Sequence, residues 1–271
     1  MKTKITLFFV TFLLLTAACS TITGFFERGG RKYNIEVKTS QPDFQNATDE
    51  AVKVLSARLD AAGIRNKVMR TTPDRIEVLA YGKFDADRVR AYLLTQGKLE
   101  LAKVAGDIFQ TYPTEEAAKQ SMGGTVPANR RVLPYTERQE EIAGAQPRQW
   151  IVLENPPVID GRTIRDAQPV SDGGGTEHGI TRGPAYTISF KLNKEGAEKF
   201  GDWTGRNIGK YLAIVLNDEV KSAPVIRGQI FDTGQIEGRF TKAAAEDLAL
   251  ILKSGYLPAT LILIDESAFE N

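Results

Sequence analysis

The sequence predicts an α+β fold, and three observations predict it. Residues 31–38 and 186–192 alternate apolar and polar side chains, the period of a strand with one buried face. Residues 52–62 and 244–252 instead repeat apolar residues at spacings of three and four, the period of a helix. The first six elements then follow in the order β-α-β-β-α-β, which a four-stranded sheet with two helices on one face buries in a ferredoxin-like layer pair.

In order, Tyr33, Ile35 and Val37 form the inner face of the first strand, against Lys32, Asn34, Glu36 and Lys38. Val52, Leu55, Leu59 and Ala62 mark a helix that stops at Gly63. Asn66–Arg70 and Arg75–Ala80 read as paired strands across the turn Thr71-Thr72-Pro73-Asp74. Asp85 caps a second helix, with Ala86, Val89 and Leu93 on one face and Gly97 at its end. Leu99–Val104 is the expected fourth strand, so that residues 31–104 form one unit, completed by 257–266.

Residues 105–150 read as a loop-rich insertion within a second unit, 105–256. Short helices are expected at Thr114–Ser121 and Thr136–Ala143, the latter with a capping box from Thr136 to Gln139. Trp150–Leu153 is a strand broken by Asn155-Pro156-Pro157, and Ser171–Pro184 is a long glycine-rich loop. Tyr186–Leu192 is a strand, and Asn193 opens a helix with Ala197, Phe200 and Trp203 on its apolar side. Leu212–Leu216 and Val220–Val225 flank Asn217-Asp218 as a hairpin. Pro224 lacks the amide hydrogen, which predicts an edge or a bulge there. Thr241 caps a helix with Ala244, Leu248, Ile251 and Leu252 as its buried stripe; Gly255 ends it, and Ala259–Ile264 is the last strand.

The N-terminus sets the compartment. Lys2 and Lys4 precede the apolar run Ile5–Leu15 and then Thr16-Ala17-Ala18-Cys19. That is the pattern of a secretory signal peptide over 1–18, with a run shorter than the ~18–20 residues of a spanning helix. Cys19, the only cysteine, stands where a bacterial lipoprotein signal places its acylated residue, which makes 19–30 a lipidated tether at the periplasmic face of a bacterial membrane. Ser20 follows it, so the resembled sorting rule favours the outer membrane in a Gram-negative cell. Removing residues 1–18 takes the formal charge from +1 to −1. A near-neutral chain lacks the clustered cations that nucleic-acid binding requires. With Cys19 acylated, no thiol remains for disulfides, thiolate metal sites or Cys catalysis.

Several motifs carry a family resemblance. They are Asp166-Ala167-Gln168-Pro169, then Phe190-x-Leu192-Asn193-x-Glu195-Gly196-Ala197, then GKYLAIVLNDEVKSAPVI at 209–226 and GQIEGRFTKAAAEDLALILKSGYLPATL at 234–261. Together with Arg28-Gly29-Gly30 before the first strand, they resemble the first extracytoplasmic domain of the SecD protein-export subunit, with its base and head subdomains. The resemblance implies a ferredoxin-like base with an inserted α+β head. It also implies family-motif positions at Arg28, Gly29, Gly30, Asn217, Ser222, Pro224, Asp247, Gly255 and Pro258, structural or hinge in role. In that family later membrane helices carry the proton-coupled chemistry, and the chain is expected to lack them. What carries over is a hinged base and head, with hinges near 104–110 and 255–258, that hold emerging polypeptide at a sheet edge. The expected partners are unfolded secretory polypeptides and components of the Sec translocase.

No reaction centre, cofactor or metal is expected. His178, the only histidine, lies in the glycine-rich loop and has no ligand cluster. Glu246 and Asp247 point about 100° apart on a helix, and Asp247 is expected to serve the helix dipole. Gly173-Gly174-Gly175 lacks the Lys-Ser/Thr ending of a phosphate loop. Trp150 and Trp203 read as core residues. Two other functions stay open: an envelope scaffold unrelated to export, and a hydrolase using carboxylates such as Asp160 and Asp166.

Overall fold

A computed structural model describes residues 29–39, 44–135, 149–177, 180–182 and 185–270. Cys19, Arg28, His178 and the helix expected at Thr136–Ala143 lie outside the described residues. The chain begins with β1 (Gly30–Lys38), α1 (Phe44–Ala61), β2 (Asn66–Thr72), β3 (Arg75–Tyr81) and α2 (Ala86–Leu94). It continues with β4 (Leu99–Lys103), β5 (Thr111–Tyr112), α3 (Glu115–Gln120), β6 (Arg130–Tyr135), β7 (Gln149–Glu154) and β8 (Ile164–Ser171). Then come β9 (Gly175–Glu177), β10 (Ile180–Arg182), β11 (Tyr186–Leu192) and α4 (Lys194–Arg206). Last are β12 (Leu212–Leu216), β13 (Glu219–Ser222), β14 (Thr233–Phe240), α5 (Lys242–Lys253) and β15 (Thr260–Phe269).

The first lobe is an antiparallel sheet in the order β15-β1-β3-β2. Its inner face presents Tyr33, Ile35, Val37, Ile76, Val78, Ala80 and Leu261 to Leu55 and Leu59 of α1 and Val89 and Leu93 of α2. The ferredoxin-like arrangement is therefore present, with one change of strand. Leu99–Val104, expected as its fourth strand, lies in another sheet, and β15 takes that place beside β1. Leu99 to Ala102 are buried at every position, so both faces of β4 need cover, which a two-layer base does not provide.

The second lobe supplies that cover. A six-stranded sheet runs β4-β12-β13-β6-β7-β5. It curls on itself: Val104 bridges Leu153, and the Ala105 amide donates to the Val152 carbonyl at 2.9 Å. Its five longer strands all contribute to one cluster: Ala102, Val104, Tyr135, Ile151, Leu153, Ala213, Val215 and Val220. Alternate residues of β4 and β12, namely Leu99, Leu101, Leu212, Ile214 and Leu216, face a second cluster. There they meet Ile188, Phe190 and Leu192 of β11, Phe200 of α4, and Ala245, Ala249 and Leu252 of α5. A second sheet, β14-β11-β8, frames that cluster.

Four sequence expectations shift. The segment 105–150 is more than loop, because β6 pairs along its length with β7. The glycine-rich stretch contains the hairpin β9–β10. The stripe of α5 is buried at Ile251 and Leu252 as expected, but its first half lies one position later, at Ala245 and Ala249, with Ala244 exposed and Leu248 partly buried. The strand expected over Val220–Val225 is shorter: β13 ends at Ser222, and the following residues hydrogen-bond back to 209–212, with the Pro224 carbonyl accepting from the Leu212 amide at 2.9 Å.

Tyr33 is fully buried at the centre of the base, and its hydroxyl has no hydrogen-bond partner among the described residues. Burial, with the Glu266 charge adding to it, pushes the Tyr33 phenol up to about 12. A phenol that ionises later in the folded state contributes stability that is complete below its ordinary pKa of about 10 and is lost as pH rises towards 12. Tyr33→Phe is therefore expected to flatten the fall in stability between about pH 10 and 12, read by denaturant unfolding at each pH. At neutral pH the same variant is expected to lose less than about 1 kcal/mol, because no hydrogen bond is removed.

Candidate functional site

The two lobes have separate apolar clusters, and the chain passes between them twice. The outward crossing is Thr95–Lys98, between α2 and β4; the return is Ser254–Ala259, between α5 and β15. The two run side by side, with the Leu257 amide donating to the Gln96 carbonyl at 2.9 Å. The outward crossing thus lies before β4 rather than at 104–110. Val104 cannot serve as a hinge because its amide is tied to the Tyr211 carbonyl at 3.0 Å inside the curled sheet.

Arg58 holds this crossing together. It lies three residues after Leu55 and one before Leu59, on the buried stripe of α1, and it is fully buried. Its Nη1 donates to the carbonyls of Tyr92 (2.8 Å) and Thr95 (2.5 Å), and its Nη2 to those of Gln96 (2.9 Å) and Gly255 (3.0 Å). These oxygens lie at the C-terminal ends of α2 and α5, where unpaired carbonyls concentrate partial negative charge. One guanidinium therefore caps two helices, one from each lobe. Burial pulls its pKa down to about 10, which leaves it charged at neutral pH.

Gly97 and Gly255 provide the backbone turns. Both have positive φ, +71° and +93°. A Cβ at Gly97 would stand 2.5 Å from the Ile251 side chain and 3.0 Å from Arg58 Nη2. On the far side, the Asn217 side-chain oxygen accepts the Lys98 amide at 3.0 Å, while the Asn217 backbone amide donates to the Lys98 carbonyl at 2.9 Å. Asn217 and Asp218 form the tight hairpin turn with φ of 52° and 58°. Gln96 is thus tied to the first lobe and Lys98 to the second, with one glycine between them.

Asp247 completes the site. It is the sixth residue of α5, beyond the first turn, where the Thr241 hydroxyl already accepts the Ala244 amide at 3.2 Å. The expected service to the helix dipole is therefore not its role. Instead its Oδ1 accepts from Arg88 Nε (3.1 Å), Arg88 Nη2 (2.5 Å) and the Tyr92 hydroxyl (2.7 Å), both residues of α2. Arg88 and Tyr92 are four residues apart and so share a helix face.

The other positions scatter. Gly29 (φ +107°) accepts the Gly82 amide, and Gly30 pairs with both Tyr81 and Phe269 at the open end of the base. The buried Ser222 hydroxyl has no partner among the described residues, Pro224 is exposed, and Pro258 lies in the return crossing. Asp160 and Asp166 are not brought together as a catalytic pair: Asp160 pairs with Arg162 at 2.7 Å and Asp166 with Lys253 at 3.1 Å. Those cations hold both carboxyls below their ordinary range, the opposite of what a general acid requires. Trp203 packs partly buried against the second-lobe core, and Trp150 is partly buried on β7. Among the described residues, no group of three or more His, Cys, Asp or Glu residues is placed to hold a metal ion. Among the same residues, no helix is long and apolar enough to cross a membrane.

Sequence reasoning missed Arg58, Arg88 and Tyr92. The available signal was an arginine placed on an apolar helical stripe.

Residues 132–259 match the family model described as SecDF, P1 head subdomain. The protein translocase subunit SecD of Aquifex aeolicus is 34% identical over 246 residues, covering 89% of this chain and 44% of that protein. SecD of Rhodobacter capsulatus is 32% identical over 229 residues, covering 82% of this chain and 36% of its own length. The chain thus spans less than half the length of these relatives. Among solved structures, SecDF in a super-membrane-facing form superposes with a TM-score of 0.65 at 26% identity, over 90% of this chain and 30% of that one. A structure described as a membrane component SecDF that enhances protein export gives a TM-score of 0.60 at 28% identity, over 86% of this chain and 98% of that one.

Proposed function

The chain carries a SecDF P1 head subdomain and is related to the SecD protein translocase subunit along more than four-fifths of its length; from that premise we propose that it serves protein export across a bacterial membrane. It works by contact and movement rather than by catalysis. The second lobe, corresponding to the head, binds emerging unfolded polypeptide and swings about the paired crossings at Gly97 and Gly255. The first lobe is the base that this motion works against. One observation supports the reading above the others: the chain links two separately cored lobes through two adjacent short crossings, a layout suited to rigid-body movement. Components of the Sec translocase are the partners this relationship favours.

Cys19 is the lipidation site in this proposal and holds the chain at the extracytoplasmic face of a membrane. Cys19→Ala is expected to move the chain from the membrane to the soluble fraction on cell fractionation; a variant that stays with the membrane removes the anchor from the account.

The functional test is in-cell photo-crosslinking from exposed apolar positions of the second lobe, such as Phe231 (64% exposed) and Ile208 (56%). Secretory polypeptides caught in transit are the expected products. Capture of no secretory chain from any such position would refute the reading.

A further inference from the structure

Two kinds of polar contact join the lobes, and they differ in how readily they can open. Arg58 is sealed from water and satisfies four carbonyls, so separating it from either crossing exposes several buried groups at once. Asp247 is different. Its side chain is 20% exposed and that of Arg88 is 47% exposed. Ion pairs so placed are weak and are weakened further by salt. Yet this contact is where α5 of the second lobe is fastened to α2 of the first, and all three donors converge on a single carboxylate oxygen. Loss of that one charge releases all of them together.

The apolar clusters do not oppose such a release. Ala245, Ala249 and Leu252 of α5 are buried in the second-lobe core, while Leu257 and Ala259, just beyond the return crossing, are buried in the first. The division between the cores falls at Gly255, so α5 can part from α2 while its packing in the second-lobe core stays intact; Ile251, buried beside Gly97, is the α5 side chain seated at the crossing itself.

We propose that Asp247 is a releasable clasp, whose contact with Arg88 and Tyr92 holds the second lobe against α2, while Arg58 keeps both crossings seated on the first lobe when the clasp opens. This takes the swinging head of the export reading as its premise and adds the group that restrains it.

The test uses the full-length chain with Cys19→Ser and nitroxide labels at Lys67→Cys on β2 and Glu198→Cys on α4, both exposed. Pulsed electron paramagnetic resonance reads the distance between the lobes. Asp247→Asn and Arg88→Gln are each expected to raise the population at altered distance about threefold, a shift within reach of an exposed pair. The double variant should add little, because both changes remove the same contact. High salt should move the wild-type distribution the same way and leave Asp247→Asn nearly unaffected. Amide exchange in β1, β3 and β12 should stay slow throughout. Distributions that superimpose for wild type and both variants at low and high salt overturn the proposal. So does loss of amide protection along α2, which would make Asp247 a structural contact only. If the distances shift but the second lobe captures no secretory polypeptide, the clasp stands and the export reading fails. If capture persists and the distances do not move, the reverse holds.

Discussion

Arg58→Met is expected to destabilise the protein by about 3–5 kcal/mol, seen as a lower midpoint in urea unfolding. Methionine matches the bulk of arginine and keeps the stripe of α1 apolar, so the loss does not arise from a cavity. It arises from the carbonyls of Tyr92, Thr95 and Gly255, which lose this donor, and from that of Gln96, which is left with the Leu257 amide alone. Replacing a buried ion pair by apolar residues can be neutral when both partners go, but backbone carbonyls cannot be substituted away. Arg58→Lys should recover less than half of the loss, because one ammonium cannot span four acceptors arranged for a planar fork. Lys53→Met on the exposed side of the same helix should stay within about 0.5 kcal/mol of wild type. An Arg58→Met protein as stable as wild type would show that the crossing does not depend on this guanidinium.

Gly30→Ala is expected to cost about 3 kcal/mol, from a single added methyl group. A Cβ at Gly30 would stand 2.1 Å from the Ala80 carbonyl oxygen and 3.0 Å from the Phe269 ring. Gly30 lies between β3 and β15, pairing with Tyr81 on one side and Phe269 on the other. Backbone on one side and an aromatic ring on the other leave the methyl no direction in which to relax. Gly63→Ala provides the comparison: φ is +70° there and no atom lies within 4 Å of the added Cβ. Its cost should be nearer 1 kcal/mol, that of backbone conformation alone. Equal losses at the two sites, measured by thermal or urea unfolding, would show that close packing at the strand end is not the cause.

Much of this arrangement was readable along the chain. Asp85, Asn193 and Thr241 were legible as helix starts because a short polar side chain before an apolar repeat has one common use, and each side chain accepts an amide of the first turn. Tyr33, Ile35 and Val37 were legible because alternation reports one covered face. Leu99–Val104 was misassigned because a strand buried on both faces loses that alternation, and nothing in so short a run says which sheet it joins. Asp247 was misread for a different reason: Arg88 and Tyr92 lie more than 150 residues earlier in the sequence, and only folding makes them neighbours.

By itself, the sequence determined the α+β class, the positions of most helices and strands, and the relationship to SecD. Those properties rest on local periodicity, on capping chemistry and on long ordered motifs. Only the tertiary structure decided that β15 rather than β4 completes the base, that the lobes meet at Gly97 and Gly255, and that Arg58 and Asp247 join them. Each of these depends on pairing between distant segments, where the free energy of burying a group is set by its neighbours in space and leaves no period in the chain.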